Sequence, residues 1–120
     1  MLLGRFFEPK CCRVTANNWQ FIKRISQLGR PVILSTGMYG LEDVHKAVEV
    51  FDKANNTQAA LLHCVTAYPV PPKEVNLNVL FLYREIFGGV VGYSDHTEGS
   101  HIPLAAVALG ADIIEKHITL

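Results

Sequence analysis

No apolar stretch in these 120 residues reaches the ~20 residues that a membrane-spanning helix needs; glycine, histidine or charge interrupts each of the longest candidates. Met1 to Phe7 is too short for a secretory leader. No membrane role is therefore expected. A surplus of charge is also missing: 11 lysines and arginines balance 11 aspartates and glutamates, and the basic residues are scattered. That excludes an electrostatic face for nucleic acid or anionic lipid and points toward small-molecule chemistry. Cysteine is scarce. Cys11, Cys12 and Cys64 are an odd number without zinc-site spacing, and adjacent cysteines rarely belong to a disulfide framework. The expected compartment is a reducing cytoplasm. Cys64, next to the apolar run Ala59-Ala60-Leu61-Leu62, reads as a small buried hydrophobe and not as a nucleophile.

What is present is a repeating order of elements. At 49% hydrophobic and 18% charged, the chain can bury a core of ordinary size. Short β-rich runs alternate with Gly- or Pro-bearing loops and with segments whose apolar residues recur every three or four positions. A weak strand around Cys11 to Val14 precedes a helix capped by Asn17 or Asn18 and running to Leu28. Pro31 to Ser35 is a strand, Leu41 to about Ala54 a helix, and Ala59 to Cys64 the next strand. A loop stiffened by Pro69, Pro71 and Pro72 leads to a helix from Asn76 to Phe87. The strand Gly89 to Tyr93, a helix from Pro103 to Leu109 and the strand Ala111 to Ile114 complete the series. Two architectures bury such strands on both faces. One is the back half of an eight-stranded barrel, which takes ~250 residues when whole; the other is a small doubly wound sheet.

The chemistry-bearing residues collect where two of these strands end. Ser94-Asp95-His96-Thr97 closes one, Glu115-Lys116-His117 closes the next, and a single βα unit separates them. Neighbouring parallel strands would bring the two histidines together, on the face where loops converge in parallel α/β folds. Two imidazoles there suggest a metal. Alternation along a strand places Ile113, Glu115 and His117 on one side and Ile114 and Lys116 on the other. Lys116 should thus point away from His117, which counts against a Schiff-base role. By the same parity Ser94 goes with His96 and Thr66 with Tyr68, whereas His63 faces the helices. His45 and His101 read as surface residues, and Glu42-Asp43 as acids that complement a helix dipole.

Several motifs stand in one order: Gly29-Arg30-Pro31-Val32-Ile33-Leu34-Ser35-Thr36-Gly37-Met38, Leu61-Leu62-His63-Cys64 with Ala67-Tyr68-Pro69, Gly92-Tyr93-Ser94-Asp95-His96-Thr97, and Ala106 to Ala111 with Glu115-Lys116-His117. From about Asn17 to Leu120 the chain closely resembles the sialic acid synthase family. The resemblance implies a partial TIM (β/α)8 barrel with parallel strands, the last four to five βα units of it, residues 1–120 forming one incomplete domain without the early strands or the C-terminal antifreeze-like domain. It implies condensation of phosphoenolpyruvate with N-acetylmannosamine, its 6-phosphate or a related acetamido sugar, with a divalent metal, Mn2+ or Mg2+. On that likeness His96 and His117 are the metal ligands, Ser35 and Ser94 contact the phosphate, and Lys10 neutralises it. Tyr68 lies at the substrate pocket, Thr66 stands where relatives carry serine or asparagine, and Glu115 is the carboxylate that handles protons. The full-length form is expected to be a cytoplasmic homodimer. One stretch departs from the pattern. Relatives carry Ser-Gly-Glu or Ser-Ala-Asp on the strand before the first helix, where this chain has Arg13-Val14-Thr15. The expectation that follows is a poor catalyst in isolation, and the alternative is an inactive domain that binds a sugar phosphate or a protein.

Overall fold

The computed structural model describes the backbone of Lys10–Cys11 and all of residues 18–117. Among the described residues five strands and four helices alternate: β1 (Lys10–Cys11), α1 (Trp19–Ser26), β2 (Val32–Ser35), α2 (Leu41–Lys53), β3 (Ala59–Cys64), α3 (Val79–Phe87), β4 (Val90–Asp95), α4 (His101–Ala108) and β5 (Ile113–Lys116). A single 3-10 turn, Pro72–Glu74, lies in the loop after β3. The strands form one parallel sheet in the order 1-2-3-4-5.

That order decides between the two architectures left open by the sequence. A doubly wound sheet reverses its strand order and carries helices on both faces. Here the order never reverses, and one core cluster joins a single face of the sheet to all four helices. Val32, Leu34, Ala59, Leu61, Val91 and Tyr93 come from the strands, and Ile22, Ile25, Val44, Phe51, Leu80 and Ala106 are among their helical partners. The chain is a half-barrel. Leu34 and Leu61 are fully buried register partners in this layer, so truncating either costs about 2–5 kcal/mol.

Local sequence accounts for the element ends. Asn18 caps α1, its side chain accepting from the Phe21 amide at 3.1 Å. Asp43 in the first turn of α2 accepts from the Gly40 amide at 3.1 Å. α4 begins at His101, two residues before Pro103; a proline in the first turn is tolerated because its missing N–H has no intrahelical acceptor there. α3 starts at Val79 and not at Asn76, because Asn76 adopts a left-handed φ of 47° that no helix can continue. The expected Cys11 to Val14 strand is represented by Lys10–Cys11; Arg13, Val14 and Thr15 lie outside the described residues.

Strand alternation leaves the opposite face to a different set of side chains. Across it Cys64, Ser94 and Glu115 are successive register partners, as are Leu62, Gly92 and Ile113. Gly92 has a packing reason: a Cβ there would stand 2.4 Å from the Ile113 carbonyl oxygen.

Candidate functional site

Just beyond the carboxyl ends of β4 and β5 three rings gather. The His96 and His117 ring centres are 5.4 Å apart. Tyr68, from the loop after β3, stacks on His96 at 4.0 Å and meets His117 edge-on at 5.5 Å. His96 is buried, whereas Tyr68 is 54% exposed and His117 is exposed, so the cluster opens to solvent on one side.

The hydrogen bonds of His96 fix its tautomer. Nδ1 lies 2.8 Å from the Val65 carbonyl oxygen, which can only accept, so Nδ1 carries the proton. Nε2 of the neutral ring is then the acceptor, and the Tyr68 hydroxyl donates to it at 2.9 Å. A ring nitrogen committed to a main-chain carbonyl is the arrangement that aims the other nitrogen of a metal-binding histidine. The backbone is held too, since the Val70 amide donates to the His96 carbonyl at 3.0 Å. The Cys64 sulfur packs against the same ring, 3.7 Å from Nδ1 and 3.8 Å from Nε2.

Below the rings, the Ser94 hydroxyl donates to Glu115 Oε1 at 3.0 Å, which ties the inner sides of β4 and β5 together. Ser35 is half-buried at the end of β2, opposite Leu62. The Thr66 hydroxyl donates to the Gly37 carbonyl at 2.7 Å and so binds the loop after β3 to the loop after β2. Gly37 permits this contact, because a Cβ there would lie 2.5 Å from that hydroxyl. Lys10 is placed by its backbone alone, opposite Ile33.

Lys116 is turned to the other side of β5. Its ammonium meets Asp95 at 2.5 Å and donates to the Thr97 carbonyl at 2.8 Å. Burial by itself raises the Asp95 carboxyl, but the Lys116 ammonium and the Thr97 amide and hydroxyl outweigh it and hold the group below the usual carboxylate range. His63 points into the helix layer, its Nε2 donating to the Val75 carbonyl at 2.6 Å between Tyr83 and Tyr93. Desolvation lowers its pKa, with the Val75 carbonyl opposing. His45 and His101 are exposed.

Two features escaped the sequence reading. The Asp95–Lys116 pair was within reach of the alternation argument, because Asp95 has on β4 the parity that Lys116 has on β5. The Tyr68 hydroxyl on His96 had no such signal, since a loop residue's direction does not follow from alternation.

As a metal site the arrangement is open. Among the described residues no group of three or more His, Cys, Asp and Glu side chains could hold an ion. Two imidazoles 5.4 Å apart can still share one ion about 2.1 Å from each nitrogen, and the His96 tautomer presents Nε2 for it. The donor set fits a two-histidine site whose other positions are left to water or substrate.

A model described as the NeuB family matches residues 9–120. The chain is 50% identical over 105 residues to the N,N'-diacetyllegionaminic acid synthase of Campylobacter jejuni, covering 86% of this chain and 31% of that protein. It is 38% identical over 105 residues to the human N-acetylneuraminate-9-phosphate synthase, covering 87% and 29%. The crystal structure of the N-acetylneuraminic acid (sialic acid) synthetase of Leptospira borgpetersenii, in complex with citrate, superposes with a TM-score of 0.81 at 39% identity, over 85% of this chain and 35% of that one. This chain thus spans about a third of the length of the proteins it matches.

Proposed function

We propose, from the premise that the chain belongs to the NeuB family, that it is part of a synthase that condenses phosphoenolpyruvate with N-acetylmannosamine or a related acetamido sugar to give a sialic-acid-like nonulosonic acid. The single observation that carries the reading is the His96–His117 ring pair standing directly above the Ser94–Glu115 hydrogen bond. The relatives' names, which specify different sugar acids, support sugar-acid synthesis in general and leave the acceptor to experiment.

The residues divide the work as follows. Ser94 and Ser35 supply hydroxyls, and Lys10 a charge, for the phosphate of phosphoenolpyruvate. A divalent ion, Mn2+ or Mg2+, supplies Lewis-acid polarisation of the sugar aldehyde when held by His96 and His117. Val65 keeps the His96 proton on Nδ1, so Nε2 is the nitrogen offered. The Tyr68 hydroxyl now bonded to Nε2 belongs to a half-exposed loop side chain and turns to the substrate instead. Carbon 3 of the enol bonds to the aldehyde carbon, whose oxygen takes up a proton and becomes a hydroxyl; water adds at carbon 2, and the bond from carbon 2 to the phosphate oxygen breaks as the new carbon 2 hydroxyl gives up its proton and becomes the keto group, phosphate leaving with the bond's electron pair. The Glu115 carboxylate, steadied at Oε1 by Ser94, takes the proton that the water gives up. Thr66 lines the pocket entrance from the loop after β3. The complete protein is a cytoplasmic homodimer in this reading.

Phosphate release from phosphoenolpyruvate, measured with Mn2+ and a panel of acetamido hexoses, tests it. The expected result is release that needs both the metal and one of the sugars, once the early strands of a relative are joined to this chain. Release indifferent to metal and sugar, or none from the joined protein, overturns the assignment. A second reading, favoured by Arg13-Val14-Thr15 in place of an acidic strand end, is a domain that binds a sugar phosphate without turnover; binding with no phosphate release is its signature.

A further inference from the structure

Behind the histidine pair, on the opposite side of the same strand ends, lies a second polar cluster. The Asp95 side chain is 0% exposed and that of Lys116 is 32% exposed. The two are cross-strand register partners, the last pair of the β4–β5 ladder. Asp95 sits between Ser94 and His96 in the chain, and Lys116 between Glu115 and His117. Each member of the ion pair therefore precedes one of the two histidines directly.

Thr97 closes the cluster around His96. Its amide and its hydroxyl both donate to Asp95 Oδ1, at 3.0 and 2.8 Å, while its carbonyl accepts from the Lys116 ammonium at 2.8 Å. The residues on either side of His96 are thus held on the outer side of the sheet. Alternation then sends the ring between them to the inner side, where Val65 and Tyr68 receive it. His117, one residue past β5, follows Lys116 directly in the chain. A buried carboxylate is costly, and replacing a buried ion pair by apolar residues is often neutral for stability. Stability alone is therefore a poor explanation for a charge pair at this position, and fixing register is a better-attested use.

We propose that Asp95, Lys116 and Thr97 form a positioning device for the histidine pair: they hold the ends of β4 and β5 in the one register at which the His96 and His117 rings face each other. They act through the two histidines. The inference concerns ring geometry in the protein by itself and stands or falls independently of metal, sugar or phosphoenolpyruvate.

Ring-to-ring nuclear Overhauser effects and imidazole 15N shifts of the 120-residue chain test it, with Lys116→Arg, Thr97→Val and the apolar double variant Asp95→Leu/Lys116→Met. The His63–Tyr83 contact, in the helix layer with ring centres 6.2 Å apart, is the internal control for the fold. In the double variant the His96–His117 cross-peaks should fall at least ~5-fold and the His96 15N shifts move from the Nδ1–H pattern toward the tautomer average, with the His63–Tyr83 contact kept and the melting temperature within about 5 °C. Lys116→Arg should retain the cross-peaks. Should the double variant lose the control contact as well, Thr97→Val decides, because it removes only the hydroxyl donated to Asp95; a cross-peak loss of about 2-fold is expected with the control intact. Unchanged His96–His117 cross-peaks in a folded double variant, or in Thr97→Val where that variant decides, overturn the proposal.

Discussion

His63, on β3, and His96, one residue past the end of the neighbouring β4, are both buried, and each donates one ring N–H to a main-chain carbonyl. Their surroundings differ because β3 and β4 present them to opposite sides of the sheet. His63 is packed between Tyr83 and Tyr93 in the layer shared with the helices. His96 meets a half-exposed tyrosine hydroxyl and a second imidazole. The comparison teaches that burial does not separate a histidine packed among the helices from one presented to the ring cluster. The second ring nitrogen and the face of the sheet do, and in a parallel half-barrel that face is fixed by parity.

The largest expected effects concern turnover. In a protein completed with the early strands of a relative, Arg13→Ser with Thr15→Glu should raise the rate of phosphate release ~100- to 10,000-fold, the usual contribution of a positioned acid or base. His96→Ala in that background should remove the gain, as a steady-state assay would show. The corresponding change on the helix side, His63→Ala, should leave the metal dependence of that rate intact.

Next in size is a packing defect confined to the helix layer. Leu61→Ala empties a fully buried site and should cost about 2–5 kcal/mol in a denaturant titration. The ring cluster of any remaining folded fraction should keep its His96–His117 contact, since Leu61 lies on the other side of β3.

Acid sharpens the contrast further. The folded-state pKa of His63 is lowered, by desolvation first, so between the ordinary imidazole value of about 6.5 and the lower folded value the unfolded chain binds more protons. Stability should therefore fall as pH drops below about 6.5, and His63→Gln should flatten that slope. Asp95 adds a separate decline at lower pH: its folded pKa is also lowered, so its contribution, present above the ordinary carboxylate range, is lost as pH falls through the folded value. Melting temperatures measured across pH, with and without Asp95→Asn, separate the two windows.

The smallest expected effect is on Ser94→Ala. Losing one hydrogen bond to Glu115 should cost about 1 kcal/mol of stability, visible as a small shift of the denaturation midpoint.

Much of this contrast was legible in the sequence, and the reasons are specific. β3 is legible because Ala59 to Leu62 is a continuous apolar run preceded by the polar Thr57 and Gln58, and its last two residues, His63 and Cys64, continue the alternation. Lys116 is placed outside the ring cluster by alternation alone. Apolar spacing places the start of α3 three residues early, because the left-handed turn at Asn76 leaves no trace in it. Half-barrel and doubly wound sheet have the same strand composition, so only the observed strand order and the one-sided helix layer part them. Tyr68 lies in a loop, where no periodicity governs direction.

The central claim is that His96 and His117 act as one site and that His63, equally buried, has no part in it. Titration of Mn2+ into the wild-type chain and into His96→Ala, His117→Ala and His63→Gln, followed by water-proton relaxation, tests this most directly. The expected result is one bound ion, with affinity reduced at least ~10-fold by either of the first two substitutions and unchanged by the third. Equal affinity in wild type and His96→Ala, or an equal loss in His63→Gln, would contradict it.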